Sequence, residues 1–382
     1  MTELLNAGEM IKIRRRLHMF PEVSFEEKKT AEYIAGYLRG LDLNVQTGVG
    51  GLGVLASIKG RSPGKTVALR ADFDALPIQD EKDADYKSQN KGAMHACGHD
   101  AHTAALCGVA RVLAANKDAF KGEVRLIFQH AEELAPGGAI SMIKDGCLDG
   151  VDAIFGCHVN SLRPVGQHGY CYGPTMSNSD AFHITIKGKG GHGASPQDSV
   201  DPIVVSANVI LQFQQIVSRR VNPKEAAVLS VCSIKAGNVY NIIPDSLSMI
   251  GTVRTYKSDV QALIIKEMEQ ILKGACEAAS ASYTLDYSKG YPALINSKEE
   301  TNLVRQALAK LGRDTIEESP HMGAEDFAYY LQKVPGSFFF TGAGNAKKGT
   351  TYPHHHPKFD IDEDSILHSA EALLQVALDY LK

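Results

Sequence analysis

The 382-residue sequence has no uninterrupted apolar run near the roughly 18 residues that a bilayer-spanning helix requires. A membrane partner is therefore not expected. It also lacks an excess of either charge. Its 40 Lys and Arg against 44 Asp and Glu leave a net charge of −4, which offers nothing to draw nucleic acid or an anionic surface. The N-terminal stretch MTELLNAGEMIKIRRRLH carries basic residues with no apolar segment after them, so no signal peptide is expected. Regular cysteine spacing is missing too: the seven cysteines at 97, 107, 147, 157, 171, 232 and 276 are odd in number. That argues against a disulfide framework and for a reducing, cytoplasmic compartment. No internal repeat or low-complexity segment is visible. The KGKGG run at 187–191 lacks the Lys-Ser/Thr that would make it a phosphate loop.

The chain is organised around MHACGHDAHTAA at 94–105, which packs three histidines, a cysteine and an aspartate into the entrance of a helix expected over 101–115. Thiolate and imidazole both ligate zinc-like divalent ions. Cys97 and His99 are two apart, so in an extended segment their side chains would point the same way. Upstream, helices are expected over 9–20, ended by Pro21, and over 26–41, where Ala31, Ile34, Ala35 and Leu38 recur at three- and four-residue spacing. Strands are expected over 53–59, 66–71, 123–129 and 153–157, with a helix over 138–145. Strands alternating with helices imply a mostly parallel sheet covered on both faces.

From residue 180 the pattern changes. Strand 180–187, helix 202–219, strands 227–234 and 246–254, helix 260–277 and strand 282–286 give the order βαββαβ, a ferredoxin-like unit. From about Tyr291 the chain returns to helix 299–311, strand 337–341 and helix 365–381. At 382 residues the chain exceeds the roughly 250–300 at which a single core stops growing. The expected organisation is a catalytic domain over 1–179 and 291–382, with an inserted domain over 180–290.

Ionisable residues gather at strand ends. Asp72 and Asp74 end the strand VALRA, His130, Glu132 and Glu133 follow EVRLIFQ, and His158 ends AIFGC. In an open α/β sheet, ligands bind beyond the carboxyl ends of the strands. A further imidazole can come from the run His354-His355-His356. Cys97, His99, Glu133, His158 and one of those three make five candidate ligands. A single tetrahedral zinc needs three or four, whereas five with one bridging thiolate suit two ions. Asp72, Asp74, Asp100 and His102 are expected behind the ligands, holding their imidazoles in one tautomer. In the Glu132-Glu133 pair one carboxylate can bind metal while the other accepts a proton from water.

The blocks RRRLHMFPEVSFEE, LRADFDALPI, MHACGHDAHTAAL, AEE followed by PGGA, FGCHV, GKGGHGASP, NIIPD, GTVRT, GAEDF and HHHPKFD occur in that order. In them the chain resembles the amidohydrolase branch of the aminoacylase and carboxypeptidase metallopeptidases, the group of hippurate hydrolase and the indoleacetyl-amino-acid hydrolases. The resemblance implies a zinc-exopeptidase-like α/β fold with a ferredoxin-like lid that also makes a homodimer. It implies two divalent ions (zinc, manganese or cobalt) on Cys97 as bridge, His99, Glu133, His158 and His355, the histidine two before the proline of H-x-P, with Glu132 as general base. His192 of GGHGA resembles the lid histidine that reaches a neighbouring subunit's site and steadies the oxyanion. Asn241 and Arg254 resemble the groups that hold a substrate carboxylate. The implied reaction is hydrolysis of an N-acyl amino acid. The rivals are a dipeptidase or carboxypeptidase with the same metal chemistry, and a non-catalytic metal or amino-acid binding protein on this fold.

Overall fold

The computed structural model describes residues 1–382. Six strands come first: β1 (Val45–Val49), β2 (Gly53–Lys59), β3 (Thr66–Asp72), β4 (Glu123–Gln129), β5 (Ala153–Pro164) and β6 (Gln167–Tyr170). Then follow β7 (Asp180–Lys187), β8 (Ala227–Ala236), β9 (Ser246–Thr255) and β10 (Ser282–Ser288), and last β11 (Asp314–Glu317) and β12 (Gly336–Gly344). The helices used below are α1 (Ala7–Met19), α2 (Lys28–Arg39), α3 (His99–Ala115), α4 (Gly138–Lys144), α5 (Pro202–Gln215), α6 (Ser258–Ala278), α7 (Lys298–Lys310) and α8 (Asp364–Tyr380).

The chain divides into two compact units: one of Met1–Thr175, Ile295–Pro320 and Glu325–Lys382, the other of Met176–Leu294 and His321–Ala324. In the first, an eight-stranded sheet has the order β1-β2-β4-β3-β5-β12-β6-β11. Its centre, β4-β3-β5-β12, is parallel, while β2 joins β4 and β6 joins β12 antiparallel. The central strands VALRA, RLIFQ and AIFGC are buried along nearly their whole length, as parallel strands covered on both faces must be. The core on one face is closed by α1, α2, α3 and α8, with Leu69, Phe128, Phe155 and Phe339 fully buried.

Helix α3 lies between α1 and α8 and is buried over nearly its full length. Small residues allow this. A β-carbon on Gly108 would lie 2.3 Å from Met10 Sδ of α1, so glycine there leaves room for the Met10 side chain between the two helices.

The second unit packs α5 and α6 on one face of an antiparallel sheet of order β8-β9-β7-β10. Counted within the unit, that is the ferredoxin-like arrangement of two interleaved βαβ halves. Asp201 caps α5 by accepting the Ile203 amide, and Pro202 fixes its first turn. No helix of the chain is long and apolar enough to cross a membrane.

Candidate metal centre

Register sets the centre. Asp72 of β3 pairs with Gln129 of β4, and Arg70 pairs with Gly156 of β5. Two residues on, Asp72, Gln129 and His158 therefore reach one level at the carboxyl edge of the sheet, where α3 begins. Helix α3 starts at His99, two residues earlier than the periodicity predicts, because Gly98 turns the chain in the left-handed region at φ 90°. Cys97 and His99 are thus not successive members of an extended segment, and a helix entrance presents them instead.

Donor atoms of Cys97, Glu133 and His355 lie within 4.8 Å of one another, as do those of Cys97, His158 and His354, and those of His99, Glu132 and Glu133. Cys97 Sγ is 3.3 Å from His158 Nε2. Glu133 Oε1 is 3.8 Å from His99 Nε2 and 3.4 Å from His355 Nε2. The thiol thus belongs to two donor groups at once, one reaching His158 and the other His355. His354 and His355 both enter the centre. His354 is largely buried against Phe359 with Nε2 3.4 Å from the Ser161 amide, while His355, at φ 65°, turns towards Glu133.

The groups behind the donors fix their tautomers. Asp74 Oδ1 is 3.0 Å from His99 Nδ1, which directs Nε2 towards the two glutamates. Its other oxygen accepts the Glu133 amide at 2.9 Å. His158 Nδ1 meets the Val159 carbonyl at 2.7 Å, so its Nε2 faces Cys97. His102 is held at both nitrogens, by Asp72 at 2.6 Å and by the Val159 amide at 2.9 Å, and supports the neighbouring His158 ring. Asp100 departs from expectation. The first turn of α3 points it away from the donors and towards α1, where it meets Arg14 Nε at 2.9 Å and His18 Nδ1 at 2.6 Å. It holds no ligand imidazole.

Sequence reasoning gave no role to the group beneath Glu132. Arg70 is buried in β3 and donates to Gln129 (2.8 Å), Asp72 (2.6 Å), Glu325 (2.9 Å) and Asp326 (2.9 Å). Carboxylate oxygens of Glu132, Glu325 and Asp326 lie within 4.8 Å of one another. The signal was present in LRAD, with Arg two before Asp on one strand face, and in the acidic pair of GAEDF. Burial and the carboxylates of Glu325 and Glu133 push the Glu132 carboxyl well above its ordinary range. Burial, with the Glu133 and Glu132 carboxylates beside it, raises the Cys97 thiol well above its ordinary range. Burial works against a proton on His99, yet Asp72 and Asp74 lift it to about 10.

One guanidinium among so many buried carboxylates leaves an excess of negative charge, and His99 Nε2 and Glu133 Oε1 are buried without a hydrogen-bond partner. Orphaned N and O atoms facing one another beside the Cys97 sulfur suit divalent cations. The residues fit a pair of them.

In the second unit, His192 and Asn241 come together on an exposed two-stranded ribbon of distant segments: His192 pairs with Ile242, and the Gly193 amide donates to the Asn241 carbonyl at 2.8 Å. Arg254, on β9, makes no ion pair.

The profile of peptidase family M20/M25/M40 matches residues 68–379. The chain belongs to this family. Within the M20 group it is 45% identical, over 353 residues, to an N-acyl-L-amino acid amidohydrolase of Geobacillus stearothermophilus, covering 90% of this chain and 94% of that one. It is 42% identical to thermostable carboxypeptidase 1 of Saccharolobus solfataricus over 97% of this chain and 95% of the other. The crystal structure of Bacillus subtilis YxeP, described as a dinuclear metal-binding peptidase of the M20 family, superposes with a TM-score of 0.87 at 35% identity, over 98% of both chains.

Proposed function

We propose that this M20 hydrolase is a dinuclear metal-dependent amidohydrolase that cleaves N-acyl amino acids to a carboxylate and a free amino acid. The observation that carries this reading is the position of Glu132. It is buried beside the donor set, with Oε2 4.0 Å from His99 Nε2, while Glu133 provides the carboxylate that faces His355. Cys97, His99, Glu133, His158 and His355 would hold two ions, Cys97 in common. When bound, such ions polarise the scissile carbonyl and acidify water. Glu132 takes the proton of the attacking water and returns it to the leaving nitrogen. A thiolate in the set favours zinc, and manganese or cobalt remain compatible with the His and Glu donors. In the second unit, Asn241 and Arg254 bind the substrate carboxylate and His192 steadies the oxyanion in the site of a partner subunit, the unit also serving as the dimer contact.

Replacing Glu132 with Gln is expected to leave metal content at two ions per chain and to lower turnover by at least ~100-fold. Unchanged hydrolysis by that variant would remove the mechanism. A non-catalytic binding protein would have no use for this second carboxylate. The carboxypeptidase reading is favoured by the likeness to the Saccharolobus enzyme. A side-by-side assay of N-acetyl, N-benzoyl and dipeptide substrates separates the two, with the acylated amino acids expected to turn over fastest.

A further inference from the structure

The block PEVSFEE at 21–27 is a loop with no part in the chemistry above, yet it makes an unusual number of ties to the centre. Val23 forms a bridge with Ala75, and the Ala75 amide donates to the Glu22 carbonyl at 2.9 Å. Ser24 Oγ donates at 2.7 Å to the same Asp74 oxygen that accepts the Glu133 amide. The Phe25 ring meets the His130 ring edge-on, with centroids 6.0 Å apart. Glu27, fully buried, accepts the Ala131 amide on Oε1 at 2.7 Å.

That last bond falls on a special residue. Ala131 stands at φ 52°, in the left-handed region that side chains with a β-carbon seldom adopt, and the next residue is Glu132. Such a conformation persists only where the surroundings fix it. The amide before Glu132 is anchored to Glu27, the amide after it to Asp74, and the side chain projects from between two fixed points. Glu27 is costly for a scaffold residue: burial and the Asp74 charge push its carboxyl up to about 8, and its Oε2 has no hydrogen-bond partner. An apolar side chain would fill the volume without that penalty.

We propose that Glu27 is a positioning residue for proton transfer, acting through the Ala131 amide to hold Glu132 at the reacting water. This rests on the reading of Glu132 as the base. The role belongs to the acceptor oxygen rather than to the charge, which separates Glu27 from an ordinary buried acid. Three variants of the metal-loaded full chain test it, each measured for kcat, KM, metal stoichiometry and thermal midpoint. Glu27→Gln keeps an acceptor at the same reach and is expected to retain kcat within about threefold. Glu27→Met removes the acceptor at similar volume and is expected to lose kcat on the order of 100-fold, with KM and two ions per chain unchanged. Glu27→Asp keeps the charge but draws it back by one methylene, and is expected to lose kcat on the order of tenfold.

Parent-like kcat in Glu27→Met overturns the proposal, and so does a Gln variant as impaired as the Met variant. Should the Met variant fail to fold, the Asp and Gln pair decides: an active Asp variant with an inactive Gln variant makes charge the requirement and overturns the proposal. Glu132→Gln is run in the same series. Turnover surviving there defeats the reading of the base itself, whereas an inactive Glu132→Gln beside fully active Met and Asp variants defeats only the positioning role.

Discussion

At the scale of single residues, the centre depends on a backbone that few sequences tolerate. Gly98 lies between Cys97 and His99, and a β-carbon there would stand 2.4 Å from Val159 Cγ2 with φ at 90°. Gly98→Ala is therefore expected to destabilise the chain by about 1–3 kcal/mol. It is also expected to lower the metal content below two ions per chain, because relief of the overlap must move a donor on one side or the other. Denaturant midpoints and metal analysis on the same preparations check both. The types and places of the donors were legible in the sequence because cysteine, histidine and paired glutamates are rare at strand ends without a chemical task. The entry of His354 beside His355 was not, since it depends on a left-handed residue at His355 and on a His354 ring packed against Phe359. Nor was the cluster of Arg70, Glu325 and Asp326, because a buried arginine within an apolar strand reads locally as an interruption, and its partners lie some 255 residues away.

Elements carry the next layer. Helix α1 is fastened to the start of α3 and to the segment before α8 through Arg14, which is fully buried against Asp100 (2.9 Å) and Asp360 (2.7 Å). His18, one turn on, reaches Asp100 and Lys82 from the same helix. Removing one partner of a buried ion pair leaves an uncompensated charge, so Arg14→Met is expected to cost about 3–5 kcal/mol. The double variant with Asp100→Asn is expected to lose less than the sum of the two single changes, and a double-mutant cycle in urea measures that coupling. A sum that is strictly additive would show that the pair does not hold α1 to α3. The long helices and the buried central strands were legible from period and from apolar runs. The short strands β1, β6 and β11 were not: their residues are polar or glycine-rich, and only the sheet edge they complete makes them strands. Strand β5 runs on to Pro164, past the polar residues that suggested its end, because β12 pairs with it as far as that residue.

For the whole molecule, the question is whether one chain suffices for the reaction. The ferredoxin-like unit leaves Ile203, Val204 and Leu211 of α5 and Ile234 of the edge strand β8 exposed, and the proposed contact with a second copy of the chain would cover apolar side chains of this kind. If His192 serves the centre of the partner subunit, Glu132→Gln and His192→Ala are complementary lesions. In a mixed dimer, one centre combines an intact Glu132 with the intact His192 of the other chain, while the second centre has neither. Each variant alone is expected to be nearly inactive. Equal mixing with subunit exchange is expected to restore about a quarter of the parent turnover, since half the dimers are mixed and each holds one competent site. Were His192 to act on its own chain, every centre in the mixture would lack either the base or the histidine, and no activity would return. The mixing experiment therefore tests subunit sharing by a gain of function, which misfolding of either variant cannot imitate.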